Sequence, residues 1–217
     1  MKCLFAALFF VCVSAAIGIQ FQPNANVIYE KLSVDQYPSY NPPSWNERAK
    51  RARYLLHYSN WGVIGTISTH YNRSGLPFTN VIVVSDGPLD NSTGVPYFYV
   101  FDGDVSVEDA VKNNEVSLTL SENTVGYKYC KGLNYDPELP LCARVTLAGK
   151  LKKITDAEEK KAASNALFTR HPDMRSYPSS HGFYPARLDI ELVWIIDYFG
   201  PSYVVPLSDY WAANPLL

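Results

Sequence analysis

The segment FTRHPDMRSYPSSHGFY, residues 168–184, gathers side-chain types that can do chemistry. His171 and His181 are two of the chain's four histidines, and they stand with Arg170, Asp173, Arg175, Ser179 and Ser180. A serine nucleophile needs a histidine base and an acid that orients it. Ser179 or Ser180 would have to fill that role, yet no G-x-S-x-G elbow exists, and serines after Pro178 suit a turn or a cap. A zinc site needs three or four ligands. His171 and His181 lack helical-pair spacing and an evident third ligand. His57 falls on a helix and His70 in a hairpin, where surface or capping roles are usual. Glu158-Glu159 sits on a charged face, where solvation explains it better than glycosidase chemistry. The segment therefore reads as a polar junction, with ligand contact through His171, Ser179, Ser180 and His181 as the second reading. No catalytic residue and no metal ligand is assigned.

The elements that would position these residues are legible in outline. Ser44-Trp45-Asn46-Glu47 is a capping box, and a helix to about Tyr58 follows it. Ala52, Leu55 and Leu56 form its apolar face, with Arg48, Lys50, Arg51 and Arg53 on the wet side. WGVIGTIST (61–69), FTNVIVVS (78–85) and PYFYVF (96–101) read as strands. Gly62 and Gly65 mark a bulge or a close backbone approach, not a phosphate loop, since no G-x-G-x-x-G is present. SVEDAVKNN (106–114) is a short helix, and EVSLTLS (115–121) buries Val116, Leu118 and Leu120 on one face. ARVTLAGKLKKI (143–154) continues the sheet. Thr155-Asp156-Ala157-Glu158 caps a second helix that runs to about Arg170, where Pro172 stops it. RLDIELVWIIDYF (187–199) is the last long strand or strand pair. Short early loops favour antiparallel pairing, and helices do not alternate with strands. The fold class is mainly β, an antiparallel barrel with a few helices over its openings.

Bulk properties bound the function. The 217 residues suit one domain plus tails. Nineteen basic and 21 acidic residues give a net charge of −2, which provides no electrostatic reason to bind nucleic acid. MKCLFAALFFVCVSAAIG has the charged, apolar, small-residue order of a signal peptide and is too short to span a membrane. The expected organisation is a signal peptide over 1–18, an extended arm over 19–43, the barrel domain over 44–211 and a tail over 212–217. Removal of the signal takes Cys3 and Cys12 with it. Cys130 and Cys142 remain as an even pair around KGLNYDPELPL, and in an oxidising compartment they are expected to close that loop as a disulfide. Metal or redox roles would call for C-x-x-C spacing or nearby histidines. Asn72-Arg73-Ser74 and Asn91-Ser92-Thr93 are glycan acceptor sites in predicted turns. The localisation that follows is secreted, with endolysosomal delivery as an extension.

A set of residues spread over 45–211 resembles the CREG family, the cellular-repressor glycoproteins. The matching residues are Ser59-Asn60-Trp61-Gly62, Leu76-Pro77-Phe78, Ser85-Asp86-Gly87-Pro88 and Gly94 through Tyr99. Cys130 and Cys142 around Asp136-Pro137, Arg170-His171-Pro172, Pro178 through His181 and Trp194 through Gly200 complete the set. The resemblance implies a homodimeric split β-barrel of the pyridoxamine-phosphate-oxidase, FMN-binding type, without the cofactor. It implies that the loop at Asp136, Pro137, Glu138 and Leu139 fills the pocket where flavin would lie. A disulfide-tied, proline-bearing loop is stiff enough for that role. The chain departs from the family pattern in carrying Tyr177 before Pro178, where a tryptophan is usual.

The implied function is non-enzymatic: control of growth and differentiation, or endolysosomal homeostasis, through a glycan-reading or cell-surface receptor. The alternative is an FMN-dependent oxidoreductase with flavin at the dimer interface. That alternative needs cations for the FMN phosphate, and Phe78-Thr79-Asn80-Val81 supplies none. A nuclear role is not expected, given the signal peptide and the acidic balance.

Overall fold

The computed structural model describes residues 41–70, 72, 74–125, 130 and 136–216. The signal segment and residues 19–40 of the arm lie outside them. Among the described residues, five α-helices and seven strands alternate irregularly. Helix α1 is Arg48–Tyr58. Strands β1 (Trp61–Ile67), β2 (Pro77–Val83) and β3 (Tyr97–Val100) follow. Helix α2 (Val105–Lys112), strand β4 (Glu115–Ser121) and the single-turn helix α3 (Glu122–Val125) come next. Strand β5 (Arg144–Lys153) leads to helix α4 (Ala157–Arg170). Strand β6 (Tyr184–Ile196), strand β7 (Tyr203–Val205) and helix α5 (Leu207–Ala212) close the described chain.

All pairings are antiparallel, in the order β2-β1-β4-β5-β6-β3, with β7 also on β6. The two outermost strands come together just past the end of β2, where Ser85 and Tyr97 exchange backbone hydrogen bonds of 3.2 and 2.8 Å. That bridge curls the sheet into a barrel that is joined at one end only. The interior follows the period-two pattern. Val116, Leu118 and Leu120 of β4, Val145 and Leu147 of β5, and Val193 and Ile195 of β6 are all buried.

Two glycines let strands approach. A Cβ at Gly62 would lie 2.8 Å from the Thr119 carbonyl and 2.5 Å from Leu120 Cδ2, so this is close approach rather than a bulge. The bulge falls at Ala148/Gly149, where a Cβ on Gly149 would meet the Asp189 carbonyl.

Several boundaries differ from the sequence reading. The Glu47 carboxylate reaches back to the Ser44 N–H at 3.1 Å, but α1 starts at Arg48, so only half of the capping box forms. At α4 the cap is Asp156 rather than Thr155, with its carboxylate accepting from the Glu159 N–H at 2.8 Å. The last long segment is a single strand that starts at Tyr184.

The expectation that Arg51 and Arg53 face water is overturned. They are 8% and 4% exposed, because α1 is covered on more than one side. Arg51 pairs with buried Glu122 at 2.6 Å, and Arg53 donates to Ser92 and to the Tyr210 carbonyl on α5. No helix among the described residues is long and apolar enough to cross a membrane.

Candidate functional site: a polar junction beside an aromatic cavity

Helix α4 ends in the segment with which the sequence reading began. Pro172 cannot continue the α-helix, and it opens a tighter turn over Pro172–Ser176, followed by another over Ser179–His181. Gly182, with φ of 67°, closes the second turn, and the chain enters β6 at Tyr184.

Arg170 is 5% exposed and donates to the His57 carbonyl at 2.7 Å and to Asn60 Oδ1 at 2.8 Å. It therefore caps the C-terminus of α1, where a cation also complements the helix dipole. His171 Nε2 donates to the Val84 carbonyl at 3.0 Å just after β2. Burial holds the His171 pKa below its ordinary value, with Arg170 adding to the effect against the Val84 hydrogen bond. The ring stays neutral there and acts as a backbone tie.

His57 is not a surface or capping residue. It is fully buried, with Nδ1 2.7 Å from Asp86 Oδ1 and Nε2 3.1 Å from the Leu89 carbonyl. Asp86 Oδ2 accepts from Ser92 Oγ at 2.5 Å and from the Gly94 N–H at 3.2 Å. Serine, aspartate and histidine thus meet in one cluster, but in the wrong order for nucleophilic catalysis. The serine donates to the acid, and both histidine nitrogens are engaged elsewhere. This network pins the loop after β2 onto α1. The sequence contained one clue to it, a histidine directly after the apolar pair Leu55-Leu56.

Ser179, Ser180 and His181 are exposed, and no hydrogen bond joins either serine hydroxyl to a histidine among the described residues. His181 instead joins a run of rings. Tyr99 stacks on Phe183 at 5.4 Å and meets Phe168 edge-on at 5.1 Å, while Tyr177 lies 5.0 Å from Phe183. Against this cluster lies a cavity of about 140 Å³ between β2, β3 and the tight turns. Its lining includes Asn80, Tyr99, Asp104, Ser106, Tyr177 and Phe183, and among the described residues it holds one carboxylate and no Lys, Arg or His. The Asp104 carboxylate caps α2 by accepting from Ser106 and Val107. A phosphate placed against these described lining residues would meet the Asp104 carboxylate and no Lys, Arg or His side chain among them.

Cys130 and Cys142 form a disulfide, with Cα atoms 5.5 Å apart. Glu122 lies beside it, accepting from Arg51 and from the Ala143 N–H at 3.0 Å. With its sulfurs joined, the disulfide leaves Glu122 as the ionic ligand of that trio, which is no metal site. Of the intervening loop, Asp136, Pro137 and Glu138 are exposed and Leu139 is half-buried. They form a turn in which the Leu139 N–H donates to the Asp136 carbonyl at 2.9 Å and Arg144 donates to the Glu138 carbonyl at 2.8 Å. None of the four lines the aromatic cavity within the chain. Residues 131–135 lie outside the described residues. Asn72 and Asn91 both stand exposed in turns.

Comparison with solved structures defines the class. A haem-binding protein from Mycobacterium smegmatis superposes with a TM-score of 0.59 at 19% identity, covering 81% of this chain and 63% of that protein's length. A Clostridium acetobutylicum protein of the pyridoxinephosphate oxidase family superposes at 0.51 and 14% identity, covering 76% and 98%. At such identities the likeness is one of fold, and the fold is the antiparallel split β-barrel.

Sequence narrows this further. The CREG β-barrel family model matches residues 43–212. Protein CREG1 of Gallus gallus is 39% identical over 175 residues, covering 80% of this chain and 90% of that protein. Protein CREG1 of Homo sapiens is 37% identical over 169 residues, covering 78% and 76%. Protein CREG2 of Homo sapiens is 39% identical over 174 residues, covering 80% of this chain but 59% of its own length. The chain belongs to the CREG family.

Proposed function

We propose that this chain is a secreted, glycosylated homodimer that works by binding other proteins rather than by flavin chemistry. The observation that carries the reading is the lining of the aromatic cavity. Asp104 is its one charged lining residue among those described, while His171 is tied to the Val84 carbonyl and His181 belongs to an aromatic run. The disulfide supports passage through an oxidising compartment. Asn72 and Asn91 are exposed and open to glycosylation. The turn at Asp136–Leu139 acts as a plug across the dimer groove, held in shape by the disulfide. Growth and differentiation control, or lysosomal homeostasis, follows from a receptor that reads the glycans or the protein surface.

Expression of the full chain in animal cells tests this. The product is expected in the medium, at twice the chain mass in solution, with glycopeptides at Asn72 and Asn91. Retention inside the cell with both asparagines bare would overturn the secreted-glycoprotein reading, and a monomer would overturn the dimer.

A further inference from the structure

A second cavity, of about 290 Å³, lies between α2 and strands β5 and β6, meeting the lining of the aromatic cavity at Val100. Its existence follows from how α2 is fastened. Asp109 is fully buried and accepts from Thr66 Oγ1 at 3.0 Å, from the Thr69 N–H at 2.7 Å and from Thr69 Oγ1 at 2.8 Å. These bonds draw the helix toward β1. Val107, Ala110 and Val111 are left facing Leu151 and Ala186 of β5 and β6 across a gap. Val111 is 76% exposed at the rim.

The polar residues of this gap are Asp102, Asn114, Lys153 and Tyr184, with the Lys153 and Asp102 side chains at the open mouth, 53% and 77% exposed. Tyr184 donates to Asp102 Oδ1 at 2.6 Å. Lys153 Nζ rests 3.6 Å from the centre of the Tyr184 ring, a cation–π seat, and 3.9 Å from Asp102 Oδ2. Its ammonium makes no hydrogen bond among the described residues. The mouth therefore offers a donor and an acceptor side by side with no net charge. A hydroxyl can accept from Lys153 and donate to Asp102 at once. A carboxylate would confront Asp102, and an ammonium would confront Lys153.

We propose that this cavity binds a small uncharged aliphatic amphiphile. Its chain lies between α2 and the sheet, and its hydroxyl head lies on Lys153 and Asp102. The site is separate from the aromatic cavity and does not depend on the reading above.

The test is calorimetric titration of the full secreted chain with 1-octanol, octanoate and octylammonium. Octanol is expected to bind, with each charged analogue about tenfold weaker or more. In Lys153→Met, octanol weakens several-fold and octylammonium overtakes octanoate, because Asp102 is left alone. Lys153 is half-exposed, so this variant is expected to fold, and its melting curve checks that. Ala110→Phe, which fills the gap, abolishes octanol binding if its melting curve shows a folded chain. No octanol binding up to its solubility limit, equal binding of all three, or an unchanged order in Lys153→Met overturns the proposal.

Discussion

Arg51 and Glu122 show what a single residue does in this protein. Both are nearly or fully buried, and their 2.6 Å pair joins α1 to α3 beside the disulfide. Removing one partner from such a pair costs about 3–5 kcal/mol, because the other charge is stranded. Arg51→Met is therefore expected to lower the denaturant midpoint sharply, and Glu122→Gln added to it recovers part of the loss. Purely additive losses in this double-mutant cycle would contradict the pairing.

His171 gives the pH counterpart. Burial holds its folded pKa below the ordinary 6.5. As pH falls, the unfolded chain takes up the proton first, so stability declines as pH drops through and below about 6.5. His171→Gln, which can still donate to the Val84 carbonyl, is expected to flatten the dependence of melting temperature on pH between roughly 7 and 5. An unchanged slope would show that other groups dominate.

At the scale of elements, the strands and the longer helices were legible because burial imposes a period on them. EVSLTLS alternates and is β4 at both ends, and the limits of α2 and α4 fall within a residue or two of the reading. What stayed hidden depends on partners far away in sequence. An arginine on a helix looks the same whether it meets water or Glu122, 71 positions on. The burial of His57 required Asp86 to fold back over it. Strand β7 and helix α5, of three and six residues, are too short to show any period. Gly62, read with Gly65 as a bulge or a close approach, is a close approach, and its contact with β4 supplies the reason. Gly62→Ala would press a methyl onto the Thr119 carbonyl and Leu120, and should cost about 1–3 kcal/mol. A hydrogen-exchange experiment should place the weakening on β1 and β4. Protection unchanged in these strands would mean that the seam relaxes freely.

For the whole molecule, the split barrel positions its polar ties at one end. The Ser85–Tyr97 bridge, the His57–Asp86 network and the Arg170 cap all fasten α1, α4 and the loop after β2 together. The disulfide ties Cys130 to Cys142 beside β5. Its 12-residue separation corresponds to about 3 kcal/mol in the chain-entropy model, and Cys130→Ser with Cys142→Ser is expected to lose that order of stability. A melting temperature unchanged by the double replacement would show that the loop is held by its other contacts. The segment 168–184 lies within the first set of ties. Arg170 and His171 of that segment are structural ties, and Tyr177 and Phe183 line a cavity whose one charged lining residue, among those described, is Asp104.

That last point is the centre of the account, and one measurement bears on it most directly. The full chain is expressed in animal cells and purified, its visible absorption spectrum is recorded, and FMN is then added while flavin fluorescence is followed. A spectrum without a flavin band, and fluorescence that stays unquenched across the titration, is the predicted result. A flavin band that co-purifies, or saturable quenching at micromolar FMN, would contradict it and make a flavin-dependent oxidoreductase the better reading.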